Sequence, residues 1–132
     1  MEYDVDLSEV ECGCNAALYT VSMPGVGSNG LPFPSDDGMH YCDANEIGGN
    51  FCPEFDIMEA NIYGYRSVEH TCDTPDSNGY FPNCDRSGQC HVDVITDKPE
   101  TAYGYGPEHD INTAETFHIK VNFDVDSNDL FY

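Results

Sequence analysis

The sequence contains no tryptophan, only four cations (Arg66, Arg86, Lys98 and Lys120), and no apolar run near the ~20 residues a membrane helix needs. Each shortage removes a class of function. Without clustered Lys and Arg the chain has little with which to release the counterions of a nucleic acid. Its 25 Asp and Glu, for a formal net charge of -21, repel a polyanion and an anionic membrane surface alike. Neither nucleic acid nor membrane is therefore expected as a partner. With no indole, any aromatic stacking face has to come from 9 Tyr and 7 Phe. The first residues, Met1-Glu2-Tyr3-Asp4, carry neither the basic start nor the apolar stretch of a secretory signal. No segment of about 12 or more residues has helical periodicity, which removes helical bundles from consideration.

What remains is 39% hydrophobic and aromatic enough to exclude a disordered acidic tail, and 132 residues suffice for a single domain over 1–132. Cysteine is abundant, at positions 12, 14, 42, 52, 72, 84 and 90. These spacings lack the paired knuckles of a zinc site, so disulfides in an oxidising, extracellular setting are expected. The count of 7 leaves at least one cysteine unpaired within the chain. Together with the missing leader, this points to a piece of a larger secreted protein or to a mature chain bonded to a partner. The stretch Asp124 to Asp129 begins like a calcium loop, but Asp129 stands where the turn glycine belongs. It reads as a surface turn, and neither a metal nor any other cofactor is expected.

Alternating runs dominate: Tyr3–Leu7, Ala17–Met23 and Phe117–Phe123 each read as a strand with one buried face. Between such runs lie Pro24–Gly30, Asp36–Gly38, Gly48–Asn50, Asp76–Gly79 and Gly104–Pro107, built from residues that preset a turn or tolerate positive φ. The expected fold is all-β, a sandwich or jelly roll with long loops pinned by disulfides.

The chemistry concentrates in Glu54-Phe55-Asp56-Ile57-Met58-Glu59. On a regular strand Glu54 and Asp56 share a face and Glu59 takes the other, because side chains alternate. One extra residue at Ile57-Met58, a β-bulge, would bring Glu59 round beside them. The Glu54 and Glu59 Cα atoms would then stand ~13 Å apart at ~3.3 Å per residue. Long side chains leaning together would close the carboxyls to about 5–5.5 Å, the separation at which a retaining glycosidase places nucleophile and acid/base. In that arrangement Glu54 attacks, Glu59 protonates the leaving oxygen and Asp56 tunes Glu54, with crowding pushing the three pKa values apart. The same spacing also fits an acidic strand facing solvent in an acidic protein.

Glu54-Phe55-Asp56-Ile57-Met58-Glu59-Ala60-Asn61 resembles the signature of glycoside hydrolase family 7, the cellobiohydrolases and endoglucanases, in which Trp stands at the Met58 position. Upstream, Asp4–Ser8, Cys12–Met23 and Tyr41-Cys42-Asp43 resemble further family segments, as do His70-Thr71-Cys72, Cys84-Asp85 and Tyr103–Pro107 downstream. The resemblance implies a concanavalin-like jelly roll of two curved sheets around a glucan cleft, with retaining hydrolysis of β-1,4-glucosidic bonds. It assigns Glu54 as nucleophile, Asp56 as its helper, Glu59 as acid/base and His70 as the histidine beside the catalytic centre. It places Asn15, Tyr19, Tyr41 and Asp43 along the cleft, and implies disulfides Cys42–Cys52 and Cys72–Cys84. Cys12 and Cys90 match cysteines whose partners lie further along the family's chain, whereas Cys14 has no counterpart in the motif.

The sequence also departs from the pattern. It matches only the central part of a longer catalytic domain, it has no tryptophan platforms, and Gly79 and Thr96 stand near positions where the family has substrate-gripping arginines. A long processive tunnel is therefore not expected. Tyr63, Tyr65, Tyr80 and Tyr103 are the residues left to stack on sugar rings. A partial jelly roll leaves sheet edges open, so self-association or a longer parent chain is expected. Two further readings are a family 16-like β-glucanase, whose bulged motif has the same Glu-x-Asp-x-x-Glu form, and a non-catalytic secreted subunit that binds glucan or assembles a larger structure.

Overall fold

A computed structural model describes residues 1–25 and 41–124. The turns expected over 26–30 and 36–38, and all but the first residue of the acidic stretch 124–129, lie outside the described residues. The strands are β1 (Glu2–Val5), β2 (Ala16–Val21), β3 (Glu54–Asn61), β4 (Gly64–His70), β5 (Cys90–Asp93), β6 (Tyr103–Gly104), β7 (Ile111–Asn112) and β8 (Phe117–Lys120). One four-residue helix, α1 (Val94–Asp97), follows β5, and Asp93 caps it by accepting from the Ile95 N–H. The architecture is thus all-β, in sheets ordered β1-β8, β2-β3-β4-β5 and β6-β7. Among the described residues no helix is long and apolar enough to cross a membrane.

The chain forms two compact units. The first comprises Met1–Ala16, Ala60–Tyr65 and the chain from Asp93 onward. In it β1 and β8 pair antiparallel, Glu2 opposite Lys120 and Val5 opposite Phe117. The alternation of the sequence is borne out: Tyr3, Val5, Phe117 and Ile119 are turned inward, while Asp4 and His118 stay exposed. The exposed face carries a cross-strand ion pair, Lys120 Nζ–Glu2 Oε1 at 2.9 Å, and a cross-strand hydrogen bond between His118 Nδ1 and Asp4 Oδ1 at 2.8 Å. Exposed pairs of this kind stabilise by about 0.2–1 kcal/mol each. Beneath lie Leu7, Ile62, Tyr103 and the fully buried Thr113, whose hydroxyl donates to the Ile62 carbonyl at 2.8 Å. Beside this core Tyr63, Ile95, Glu100, Tyr103, Tyr105 and His109 border a pocket of about 280 Å³. His109 Nδ1 is buried there with no hydrogen-bond partner among the described residues.

The second unit comprises Ala17–Glu59 and Arg66–Val92. It holds most of β2, β3 and β4 and three of the four residues of β5. Asp56, Ile57 and Met58 are buried in succession, so both faces of β3 are covered at its middle. Val68 and Ala44 complete the core, and the two disulfides Cys42–Cys52 and Cys72–Cys84 tie the flanking loops. Cys12, Cys14 and Cys90 are free and exposed. Two of the expected turns are observed here. Gly48 and Gly49 both take positive φ in a 3-10 turn, and the carboxylate of Asp76 accepts from the Asn78 and Tyr80 N–H groups.

Candidate active site

β3 begins immediately after Pro53, and the Cys42–Cys52 bridge fastens the preceding loop to that point. The Cys52 N–H donates to the Asp43 carbonyl at 3.0 Å. The Asp43 side chain in turn organises its own loop, one carboxylate oxygen accepting from the Asn45 N–H at 2.8 Å and the Ile47 N–H at 3.2 Å. So fixed, the loop points the Ala44 N–H at Glu54, which accepts it on Oε2 at 3.1 Å. A sequence reader sees a cysteine pair and an acidic loop. The backbone donor for the carboxylate appears only in three dimensions.

The Glu54 carboxyl is pushed up from its ordinary value. Burial is the main cause, outweighing the Ala44 hydrogen bond, and the charges of Asp56 and Asp43 add to it. Two positions along, Asp56 is buried, 6% exposed, and its Oδ2 lies 3.0 Å from His70 Nε2 on β4. The other imidazole nitrogen, Nδ1, lies 2.7 Å from the Asp85 carbonyl. A carbonyl only accepts, so Nδ1 carries a proton and donates it. One proton then sits between Nε2 and Asp56, and the two groups share it.

The segment that carries the Asp85 carbonyl is itself clamped. The Asp85 carboxylate accepts from the Gln89 N–H at 2.7 Å, the Ser87 hydroxyl at 2.7 Å, the Ser87 N–H at 3.0 Å and the Gly88 N–H at 3.2 Å. These bonds, the Gln89 N–H foremost, hold the carboxyl down at about 2. Gly88 has φ 65° and is buried against β4, where a Cβ would run into Val68 and stand 3.0 Å from His70 Cε1. Asp85 and Gly88 carry no chemistry in the sequence reading, although Asp85-Arg86-Ser87-Gly88 has the composition of a side-chain-closed turn.

Tyr41 donates to Asp43 Oδ2 at 3.2 Å, and its ring meets Tyr19 edge-on with centroids 6.4 Å apart. Burial, then Tyr19 and the Asp43 charge, push the Tyr41 phenol far above its ordinary value, so it stays a neutral donor. Three of the four expected cleft residues therefore form one connected row. The fourth, Asn15, belongs to the first unit, exposed just ahead of β2. Glu54, Asp56 and His70 each offer a ligand atom within 4.8 Å of the others. Glu59 is not one of that trio; it follows on the same unbroken strand, half-buried. A groove of about 500 Å³ is bordered by two of the trio, Glu54 and His70, together with Thr20, Ser22, Phe55 and Glu69.

No family model matches the sequence. Among curated proteins it is 29% identical over 143 aligned positions to endoglucanase 1 of Humicola insolens, spanning 92% of this chain and 35% of that one. It is 31% identical over 143 positions to endo-beta-1,4-glucanase celB of Aspergillus oryzae, spanning 92% and 34%. Among solved structures, the endocellulase of Humicola insolens superposes with a TM-score of 0.78 at 25% identity, over 98% of this chain and 38% of that one. The glycoside hydrolase family 7 cellobiohydrolase of Daphnia pulex gives 0.70 at 27%, over 89% and 36%. This chain is a relative of glycoside hydrolase family 7. The family 7 relation covers nearly all of it, and the chain spans about a third of the length of the curated relatives it matches. Both disulfides that the family resemblance implied are formed.

Proposed function

We propose that this chain carries the reacting carboxylates of a retaining β-1,4-glucan hydrolase, with Glu54 as nucleophile, Asp56 and His70 as its positioning partners and Glu59 as acid/base. The observation that carries the reading is Glu54 itself, held by Ala44 at a groove with the buried Asp56–His70 pair behind it. In the first half-reaction an ionised Glu54 oxygen bonds to the anomeric carbon while Glu59 gives its proton to the departing glycosidic oxygen. In the second, Glu59 takes a proton from water, the water oxygen replaces Glu54 at the same carbon, and both carboxyls return to their starting states. Asp56 and His70 keep one proton between them throughout and hold the floor of the site rigid. Tyr19, Tyr41, Asp43 and Asn15 are assigned to the glucan, with Tyr41 a donor and Tyr19 a stacking ring.

A secreted, extracellular setting suits the two disulfides. The relatives' greater length supports a parent chain or an assembly that supplies the rest of the cleft. A second reading, a glucan-binding or assembly subunit without turnover, draws on the exposed thiols of Cys12, Cys14 and Cys90 and the exposed strand β5. The test is hydrolysis of an aryl β-cellobioside and of carboxymethyl cellulose by the protein and its Glu54→Gln variant, from about pH 4 to about pH 8. Turnover that disappears in the variant is the expected result. A folded protein that turns over neither substrate gives the role to the second reading.

A further inference from the structure

Nothing in the spacing of the sequence announces a metal, yet the fold gathers three donor groups of the kinds that hold one. Two ligands at ~2.1 Å on a tetrahedral metal lie ~3.4 Å apart, and Asp56 Oδ2 and His70 Nε2, now 3.0 Å apart, reach that by separating a few tenths of an ångström. All three donor groups fall within 4.8 Å of one another. The imidazole is already set up as a ligand: the Asp85 carbonyl holds Nδ1–H at 2.7 Å, which turns the Nε2 lone pair toward the carboxylates. The Ala44 N–H orients Glu54 in the same outer role. The carbonyl that fixes the ring is itself fixed by the clamp around the Asp85 carboxylate, so these supports are rigid before any cation arrives. The groove in front of Glu54 supplies an entry path and room for water to complete the coordination.

We propose that Glu54, Asp56 and His70 form a binding site for a divalent transition cation of the zinc type. Two carboxylates and one imidazole suit Zn²⁺, Co²⁺ or Mn²⁺ and not Ca²⁺, which takes six to eight oxygens. On binding, the cation takes the place of the proton shared by Asp56 and His70, which leaves to solvent. The site does not rest on the glycosidase reading. If that reading also holds, the cation occupies the lone pairs of the nucleophile and inhibits turnover.

The probe is Zn²⁺ alone, titrated calorimetrically into the full chain after its exposed thiols, Cys12, Cys14 and Cys90, have been alkylated. One site is expected, weakened at least tenfold by Glu54→Gln and by His70→Gln and unchanged by His118→Gln, which breaks the exposed His118–Asp4 pair. Because His70→Gln removes a buried partner and its fold is at risk, the ring ¹⁵N resonances of His70 in the unaltered protein are followed in parallel. Zinc should move Nε2 by far more than Nδ1. The proposal is overturned if Glu54→Gln binds zinc as tightly as the parent, if the His70 ring does not respond at saturation, or if the site vanishes with His118. These readouts contain no substrate, so a protein that binds zinc but hydrolyses nothing sinks only the glycosidase reading. One that hydrolyses and binds no zinc at the trio sinks only this one.

Discussion

In the second unit both ring nitrogens of His70 meet a partner at 2.7–3.0 Å, and even the carbonyl behind the ring belongs to a clamped turn. In the first unit the pocket beside Tyr103 is bordered by rings that face water, Tyr63 at 57% and Tyr105 at 55% exposure, and by an imidazole nitrogen with no partner among the described residues. Both regions combine aromatics, acids and a histidine, so residue type does not separate them. Satisfaction does: a polar network closed on itself holds its atoms in one arrangement, whereas an open pocket tolerates many.

The sharpest way to break this contrast is through chemistry. Replacing Glu54 with Gln is expected to cut kcat on the aryl cellobioside by roughly 10³-fold or more, whereas Tyr105→Ala in the open pocket should change it less than about twofold. Comparable losses from the two would erase the distinction. A smaller effect concerns stability. Asp56→Ala leaves a buried imidazole without its partner and should cost about 3 kcal/mol in denaturant unfolding. His109→Leu removes a group that is already unsatisfied and should cost nothing or stabilise by about 1 kcal/mol.

Glycines give a finer test. Gly88→Ala puts a methyl into Val68 and beside His70 at φ 65°, and about 3 kcal/mol of destabilisation is expected. Gly13→Ala, at φ 87° but with open space around it, should cost only about 1 kcal/mol. Equal losses would mean that the backbone, not the packing on His70, sets the requirement.

The smallest effect is a pH dependence with opposite signs at the two carboxyls of the site. Glu54 is held above its ordinary 4.5, so its contribution to stability is present below that pH and is lost as pH rises through its raised value. Asp85, held at about 2 against an ordinary 3.8, contributes above 3.8 and loses that contribution as pH falls toward about 2. Between about pH 4 and about pH 7 the parent protein should therefore lose ground in melting temperature relative to Glu54→Gln. A flat difference would remove burial as the cause of the Glu54 shift. If Glu54 is the nucleophile, the acid limb of kcat/KM should also lie above the range of an ordinary glutamate.

The sequence made some of this legible and hid the rest for physical reasons. Strict alternation at Tyr3–Leu7 and Phe117–Phe123 announced β1 and β8 because one face of that pair is buried and the other meets water. β4 gives no such signal: Gly64-Tyr65-Arg66-Ser67 sits half-buried throughout, and only Val68 and His70 are fully covered. β6 and β7 are two residues each, too short to hold a period. At the site, the motif marked Glu54 and Asp56, and family likeness marked His70, Tyr19, Tyr41 and Asp43. The Ala44 N–H and the Asp85 carbonyl were invisible, because main-chain groups look the same at every position until the fold aims them.

The Cys42–Cys52 bridge closes a short circuit of chain, 10 positions apart in sequence, and the donor that settles Glu54 rides on it. Closing a loop of this size stabilises by about 3 kcal/mol on the chain-entropy account. Its further consequence is one of timing. While those two sulfurs are still thiols, as they are when a polypeptide leaves the ribosome, the Ala44 amide has no covalent reason to stay opposite the carboxylate. The oxidation that tightens the loop is then also the event at which Glu54 acquires its surroundings, so that carboxylate's environment is finished after synthesis, by thiol chemistry and not by folding alone.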